Sequence, residues 1–163
     1  MDGNIFELSQ QLGEMLKAKG WKVSCAESCT GGGLAYAITS VAGSSNWFER
    51  SFVTYSNAAK SELLQVGKRT LDQFGAVSQQ TVLAMARGCA VKTAADLTIA
   101  VSGIAGPDGG SDEKPVGLVW FGFYVNGDLS AQQHIFSGDR QSVRNQAVET
   151  ALQHAISLIG KKK

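Results

Sequence analysis

The sequence predicts a three-layer α/β/α sandwich on a mixed sheet of about five strands. Three observations lead there. Short apolar runs of strand length alternate with segments of helical period. One apolar run, Leu118 to Val125, is followed by Asn126-Gly127, the strongest hairpin signal in the chain, which adds an antiparallel strand to an otherwise alternating pattern. The 19 glycines gather around residues 31–33 and 103–110, just beyond strand-length runs, as tight turns or close ligand approach require.

Residues 4–19 read as an amphipathic helix, with Ile5, Leu8, Leu12, Met15 and Leu16 on one face and Gly20 closing it. Val23 to Ala26 reads as a strand and Thr30 to Val41 as a helix. Phe52 to Tyr55 reads as a second strand, with a helix through Ala58 to Leu64 after it. Ser78 is an expected N-cap for a long helix burying Val82, Met85, Ala86, Cys89 and Ala90. Leu97 to Ser102 is a third strand, and Leu118 to Val125 is apolar enough for a strand covered on both faces. Leu129 to Phe136 completes the hairpin. From Asp139 a closing helix carries Val143, Ala147, Ala151, Ala155 and Ile159 at four-residue intervals. Residues 1–163 show no linker, repeat or low-complexity block, so one domain is expected.

A net charge of +1 gives no electrostatic case for binding nucleic acid or an acidic membrane surface, and Lys161-Lys162-Lys163 reads as a solvated tail. No apolar run approaches the roughly 20 residues that span a bilayer. Asp2 and Glu7 near the N-terminus do not fit a secretory signal, and a cytoplasmic protein is expected. The three cysteines form no Cys-x-x-Cys pair, and His134 and His154 lack metal-site spacing, so reduced thiols, no metal and no cofactor are expected.

Functional loops of such a fold gather at strand ends, and three of them are unusual here. In Ala26-Glu27-Ser28-Cys29-Thr30-Gly31-Gly32-Gly33 a hydroxyl and a thiol precede three glycines. Backbone N–H groups exposed there suit a phosphate or a developing oxyanion, and Ser28 is a candidate nucleophile. The Gly-x-Ser-x-Gly, Walker and Gly-x-Gly-x-x-Gly patterns are absent, and neither histidine stands out as a base. In Val53-Thr54-Tyr55-Ser56-Asn57-Ala58-Ala59-Lys60 the lysine sits about one helical turn beyond Tyr55, and a Ser–Lys pair is an established catalytic variant. Such a base needs its pKa brought down by about 3 units, which desolvation can supply.

Each residue also has an ordinary reading. Spacing alone makes Lys60 a solvated surface cation, or a partner for Glu27 that stays charged and inert. Ser28 reads equally as a helix cap, and Tyr55 as a strand-end packing residue. Ser102-Gly103-Ile104-Ala105-Gly106-Pro107-Asp108-Gly109-Gly110 is either a nucleotide-binding loop or a turn-rich connector. Arg140 and Arg144 are either anion clamps or members of a salt-bridged helix start.

Taken together, these segments, with Gly75-Ala76-Val77-Ser78, Lys114-Pro115-Val116-Gly117 and Gly138-Asp139-Arg140, resemble the CinA C-terminal domain family over nearly the whole chain. Stand-alone members of that family are nicotinamide-nucleotide amidohydrolases. The resemblance implies hydrolysis of the carboxamide of nicotinamide mononucleotide to nicotinate mononucleotide and ammonia, within pyridine nucleotide recycling. It places the nucleophile on Ser28, the base on Lys60 and an assisting tyrosine on Tyr55. Cys29, Thr30, Gly31, Gly32, Asn57, Ser102, Gly103, Ala105, Gly106 and Arg140 are the expected substrate-binding residues, with Tyr36, Trp47 and Phe48 as candidates for the pyridine pocket. Longer family members carry an N-terminal domain linked to ADP-ribose pyrophosphatase activity, which this chain is expected to lack. A homodimer is the expected assembly. The competing readings are a pyridine-nucleotide sensor without catalysis and an amidase for a small amide lacking phosphate.

Overall fold

The structure, a computed structural model, describes residues 2–161, so Lys162 and Lys163 of the expected solvated tail lie outside the described residues. The chain runs α1 (Gly3–Lys19), β1 (Val23–Glu27), α2 (Gly33–Thr39), a 3₁₀ turn (Ser44–Asn46), β2 (Phe48–Val53), α3 (Asn57–Leu64), α4 (Lys68–Phe74), α5 (Gln79–Thr93), β3 (Leu97–Gly103), β4 (Leu118–Val125), β5 (Asp128–Ile135) and α6 (Arg140–Gly160). The strand order is β2-β1-β3-β4-β5. β1 runs parallel to β2 and β3, while β4 pairs antiparallel with both β3 and β5. The expected mixed five-stranded sheet is therefore present.

Period-2 alternation divides the strands between two apolar layers. Val23, Cys25, Leu97, Ile99, Val101, Val119, Phe121 and Phe123 pack with Leu12 and Leu16 of α1, Leu34 and Ile38 of α2, and Val143 to Ile159 of α6. Ala26 and Ala100 face the other way, against Leu64, Leu71, Val82, Met85 and Cys89 of α3, α4 and α5. This second face uses small residues because the helices come close. A Cβ on Gly122 would collide with the Val82 carbonyl of α5, and one on Gly88 with the Leu64 carbonyl of α3.

Local chemistry sets most boundaries as read. Gly20 ends α1 in the left-handed region at φ 68°, its N–H donating to the Leu16 and Lys17 carbonyls. Ser78 and Asp139 cap α5 and α6 through their side chains.

Three expectations shift. α2 begins at Gly33 rather than Thr30, because Gly31 (φ 59°) and Gly32 (φ 101°) take left-handed conformations that end the turn before the helix starts. β2 ends at Val53, before Tyr55, since the parallel ladder stops at Glu27↔Val53. α4 goes unread because its seven residues bury only Leu71 and so show no periodicity.

The C-terminal ends of the parallel strands β1, β2 and β3 lie side by side, so Ser28, Thr54–Tyr55 and Ser102–Gly103 converge on one edge of the sheet.

Candidate active site

Ser28 follows the last residue of β1 and is held in place by its N–H, which donates to the Val101 carbonyl at 2.9 Å. Extending the Ala26↔Ala100 register by two residues sets it beside Ser102, on the face covered by α3 and α5. The preceding Glu27 points the opposite way. Its buried carboxyl group accepts from Thr30 Oγ1 (2.6 Å), the Leu34 N–H (2.9 Å), the Ala35 N–H (3.0 Å) and Ser51 Oγ (2.9 Å). Glu27 therefore ties down the N-terminus of α2, where its charge also suits the helix dipole. It is not the Lys60 partner that spacing allowed.

Lys60 lies in the first turn of α3, which Ser56 caps by accepting the Ala59 N–H at 3.0 Å. Its side chain does not reach solvent. It is 1% exposed, and Nζ sits 3.0 Å from Ser28 Oγ, 2.8 Å from the Thr54 carbonyl and 3.1 Å from the Tyr55 carbonyl. Burial without a carboxylate brings its pKa down to about 8, against a small opposing pull from the Cys29 thiol. Two of the three Nζ neighbours are carbonyl oxygens, which only accept; the third is a hydroxyl, which can donate. A neutral amine has two N–H groups and one lone pair, so with both N–H groups on the carbonyls its lone pair faces Ser28.

Cys29 sits beside this pair but is a different kind of group. Burial raises its pKa to about 11, with partial offsets from its own N–H and from Arg144, so the thiol stays protonated at neutral pH. Of the two adjacent nucleophile candidates, only the serine has a base.

A cleft of about 280 Å³ opens over the pair, lined by Ser28, Cys29, Tyr55 and Lys60, by Ala76 and Val77, by the loop following β3, and by Arg140. Arg140 bridges two of its walls, donating to the Gly106 carbonyl at 2.8 Å and to the Tyr55 hydroxyl at 3.2 Å. Tyr55 thus touches Lys60 through its backbone carbonyl, while its phenol faces Arg140. Ser102 is buried and lines the same cleft beside Ser28. Lys114 lies outside the cleft, in a neighbouring hollow shared with Phe74 and Val77, and donates to the Phe74 carbonyl at 2.6 Å.

The three expected catalytic residues are therefore together, and Cys29, Ser102, Gly103, Ala105, Gly106 and Arg140 line the same cleft. Thr30, Gly31, Gly32 and Asn57 do not line it. Thr30 is buried on Glu27, Gly31 donates its N–H to the Ser28 carbonyl at 3.0 Å, and Gly32 ends the turn. Asn57 lies on a separate hollow between α3 and α4. The pyridine-pocket candidates also fall elsewhere: Trp47 is buried against Gly13, Phe48 packs on the α1–α6 core, and Tyr36 is exposed on α2. Ala76, Val77, Ile104, Asp108 and Gly109 line the cleft instead. Ala76, Val77, Ile104 and Gly109 carry no chemical signal of their own, and Asp108 sits in a turn-rich stretch where an aspartate is an ordinary turn residue.

Arg144, unlike Arg140, does not line the cleft. It donates to the Cys29 carbonyl at 3.1 Å and to the Thr30 carbonyl at 3.3 Å. Among the described residues no group of three or more His, Cys, Asp or Glu is placed to hold a metal ion, and no helix is long and apolar enough to cross a membrane.

Known proteins resemble this chain in sequence and in fold. The family model described as CinA C-terminal domain matches residues 5–159. A protein of Enterobacter agglomerans named nicotinamide-nucleotide amidohydrolase PncC is 60% identical over 153 residues, covering 93% of each chain. The Escherichia coli K12 protein of the same name is 54% identical over the same shares. Among solved structures, the competence/damage inducible protein CihA from Agrobacterium tumefaciens superposes with a TM-score of 0.95 at 46% identity, over 97% of both chains. The competence damage-inducible protein A of Klebsiella pneumoniae also gives 0.95, at 38% identity over 99% of this chain and 100% of that one. Sequence, fold and cleft lead to one conclusion: this chain belongs to the CinA C-terminal domain family.

Proposed function

We propose that this protein hydrolyses the carboxamide of nicotinamide mononucleotide, giving nicotinate mononucleotide and ammonia, with Ser28 as nucleophile and Lys60 as its base. The observation that carries the reading is the buried Lys60 Nζ, 3.0 Å from Ser28 Oγ and steadied by two backbone carbonyls. The names of the relatives supply the substrate.

In this reading neutral Lys60 takes the Ser28 proton as Oγ attacks the carboxamide carbon. The resulting tetrahedral oxyanion is held by backbone N–H groups at the turn after Ser28. Collapse breaks the C–N bond, and Lys60 returns the proton to the departing ammonia. Water, deprotonated by Lys60, then attacks the acyl-enzyme, and Ser28 leaves reprotonated. The Tyr55 phenol accepts from Arg140 at the cleft wall and keeps its own O–H to donate, so it assists the return of the proton to the departing ammonia. Arg140 spends two of its five N–H donors on protein, which leaves three for the substrate's phosphate.

The test is ammonia release from nicotinamide mononucleotide by the wild-type protein and Ser28→Ala, with chelator present. Turnover that disappears in the variant supports the reading. Unimpaired turnover in Ser28→Ala overturns it, and saturable binding by wild type without ammonia replaces it with a nucleotide sensor.

A further inference from the structure

Arg144 lies in the second turn of α6, whose start is fixed by the Asp139 cap and whose neighbouring residues Val143 and Ala147 are buried in the core. Its guanidinium is committed to two consecutive backbone carbonyls, those of Cys29 and Thr30. Gly31 makes room for it. A Cβ there would stand 3.2 Å from Arg144 Nη2, and the glycine's φ of 59° shapes the turn. The Gly31 N–H closes that turn on the Ser28 carbonyl.

The only cis peptide among the described residues is Gly106–Pro107, so the Cys29–Thr30 peptide is trans, with C=O and N–H on opposite sides. A guanidinium gripping the Cys29 carbonyl therefore sends the Thr30 N–H away from α6. Among the described residues neither that N–H nor the Cys29 N–H has a backbone acceptor. A cation on the carbonyl oxygen also polarises the amide and makes its N–H a stronger donor.

We propose that Arg144 is a positioning residue for acylation: it pins the Cys29–Thr30 peptide so that the Thr30 and Cys29 N–H groups meet the oxyanion formed at Ser28. The inference rests on the serine-amidase reading given above. Arg144 does not touch substrate, and it acts through the peptide it holds.

The test compares Arg144→Met, which keeps the aliphatic stem, and Arg144→Lys, which keeps the charge, with wild type and Ser28→Ala. The readouts are kcat, KM, the urea midpoint, and affinity for the mononucleotide whose carboxamide is replaced by an aldehyde. That aldehyde captures the oxyanion directly: the Ser28 Oγ–carbon bond forms, the carbonyl π pair moves to oxygen, and the serine proton goes to Lys60. The expected result for Arg144→Met is a kcat loss of about 10- to 100-fold with KM within about threefold, and a matching loss of aldehyde affinity. Arg144→Lys should fall between the two. A folded Arg144→Met with kcat and aldehyde affinity within about threefold of wild type overturns the proposal. So does a kcat loss that leaves aldehyde affinity untouched and merely follows a lowered midpoint. If Arg144→Met does not fold, Arg144→Lys is judged by the same readouts. Turnover by Ser28→Ala would instead refute the serine reading, whatever Arg144 does.

Discussion

Replacing Lys60 with methionine keeps most of the side chain's volume while deleting the amine that faces Ser28. With a pKa of about 8, roughly one lysine in ten is neutral at pH 7. At the ordinary value of 10.5 the neutral share would be about one in 3,000, so burial multiplies the working base about 300-fold. Because the base works unprotonated, activity must rise with pH. Wild-type kcat/KM should climb close to tenfold per unit on the acid side and flatten above the Lys60 pKa near 8. Lys60→Met should lose about 10²- to 10⁴-fold in kcat and lose that limb as well. The assay is ammonia release at substrate concentrations well below KM, from roughly pH 5.5 to 10, for both proteins. A wild-type limb centred near pH 6, or a Lys60→Met variant that turns over as fast as wild type, would refute the assignment.

Two further outcomes concern stability. Glu27→Gln replaces one acceptor oxygen with an NH₂ group facing existing donors, which leaves one N–H at the start of α2, that of Leu34 or Ala35, unpaired. A loss of about 1–3 kcal/mol in urea unfolding is expected, and an unchanged midpoint would remove Glu27 from its capping role. His154 Nε2 lies 3.0 Å from His134 Nε2, and burial followed by that neighbour lowers its pKa below 6.5. The folded-state value is depressed, so just below pH 6.5 the unfolded chain binds more protons than the folded one. Stability should therefore fall as pH drops through that interval and level off below the folded pKa, and His154→Phe should flatten the decline in urea midpoints between about pH 7 and 5. An equally steep decline in the variant counts against the pair as its source.

The sequence made the sheet legible because β1, β3 and β4 are buried strands in which apolar residues predominate. It located β2 poorly because that edge strand interrupts its apolar residues with Glu49, Arg50 and Ser51, and none of its residues is fully buried. At the site, Ser28 and Lys60 could be paired on chemical grounds, and family resemblance favoured the pairing. What local reasoning lacked was the partner of each nearby charge. Whether Glu27 meets Lys60 or α2 depends on which side of β1 it faces, and whether Arg144 meets a ligand or a carbonyl depends on how α6 docks. Both are properties of packing, with no local sequence signal. Asn57 shows the reverse error: it adjoins the lysine motif in sequence, yet the first turn of α3 turns it away from the cleft.

The contact between Gly88 of α5 and the Leu64 carbonyl of α3 also bears on catalysis. Leu64 is one turn beyond Lys60 on a short helix, so the seat of that helix on α5 sets where the lysine begins. Backbone meets backbone there, with no side chain between to act as a shim. Variation among core side chains can be absorbed by rotamer adjustment without moving α3, whereas any added atom at position 88 lifts the whole helix. The spacing between nucleophile and base is thus gauged from main-chain atoms at the α3–α5 contact, away from the substrate. A lineage could drift widely in its apolar residues and still keep that gap, provided position 88 stayed bare.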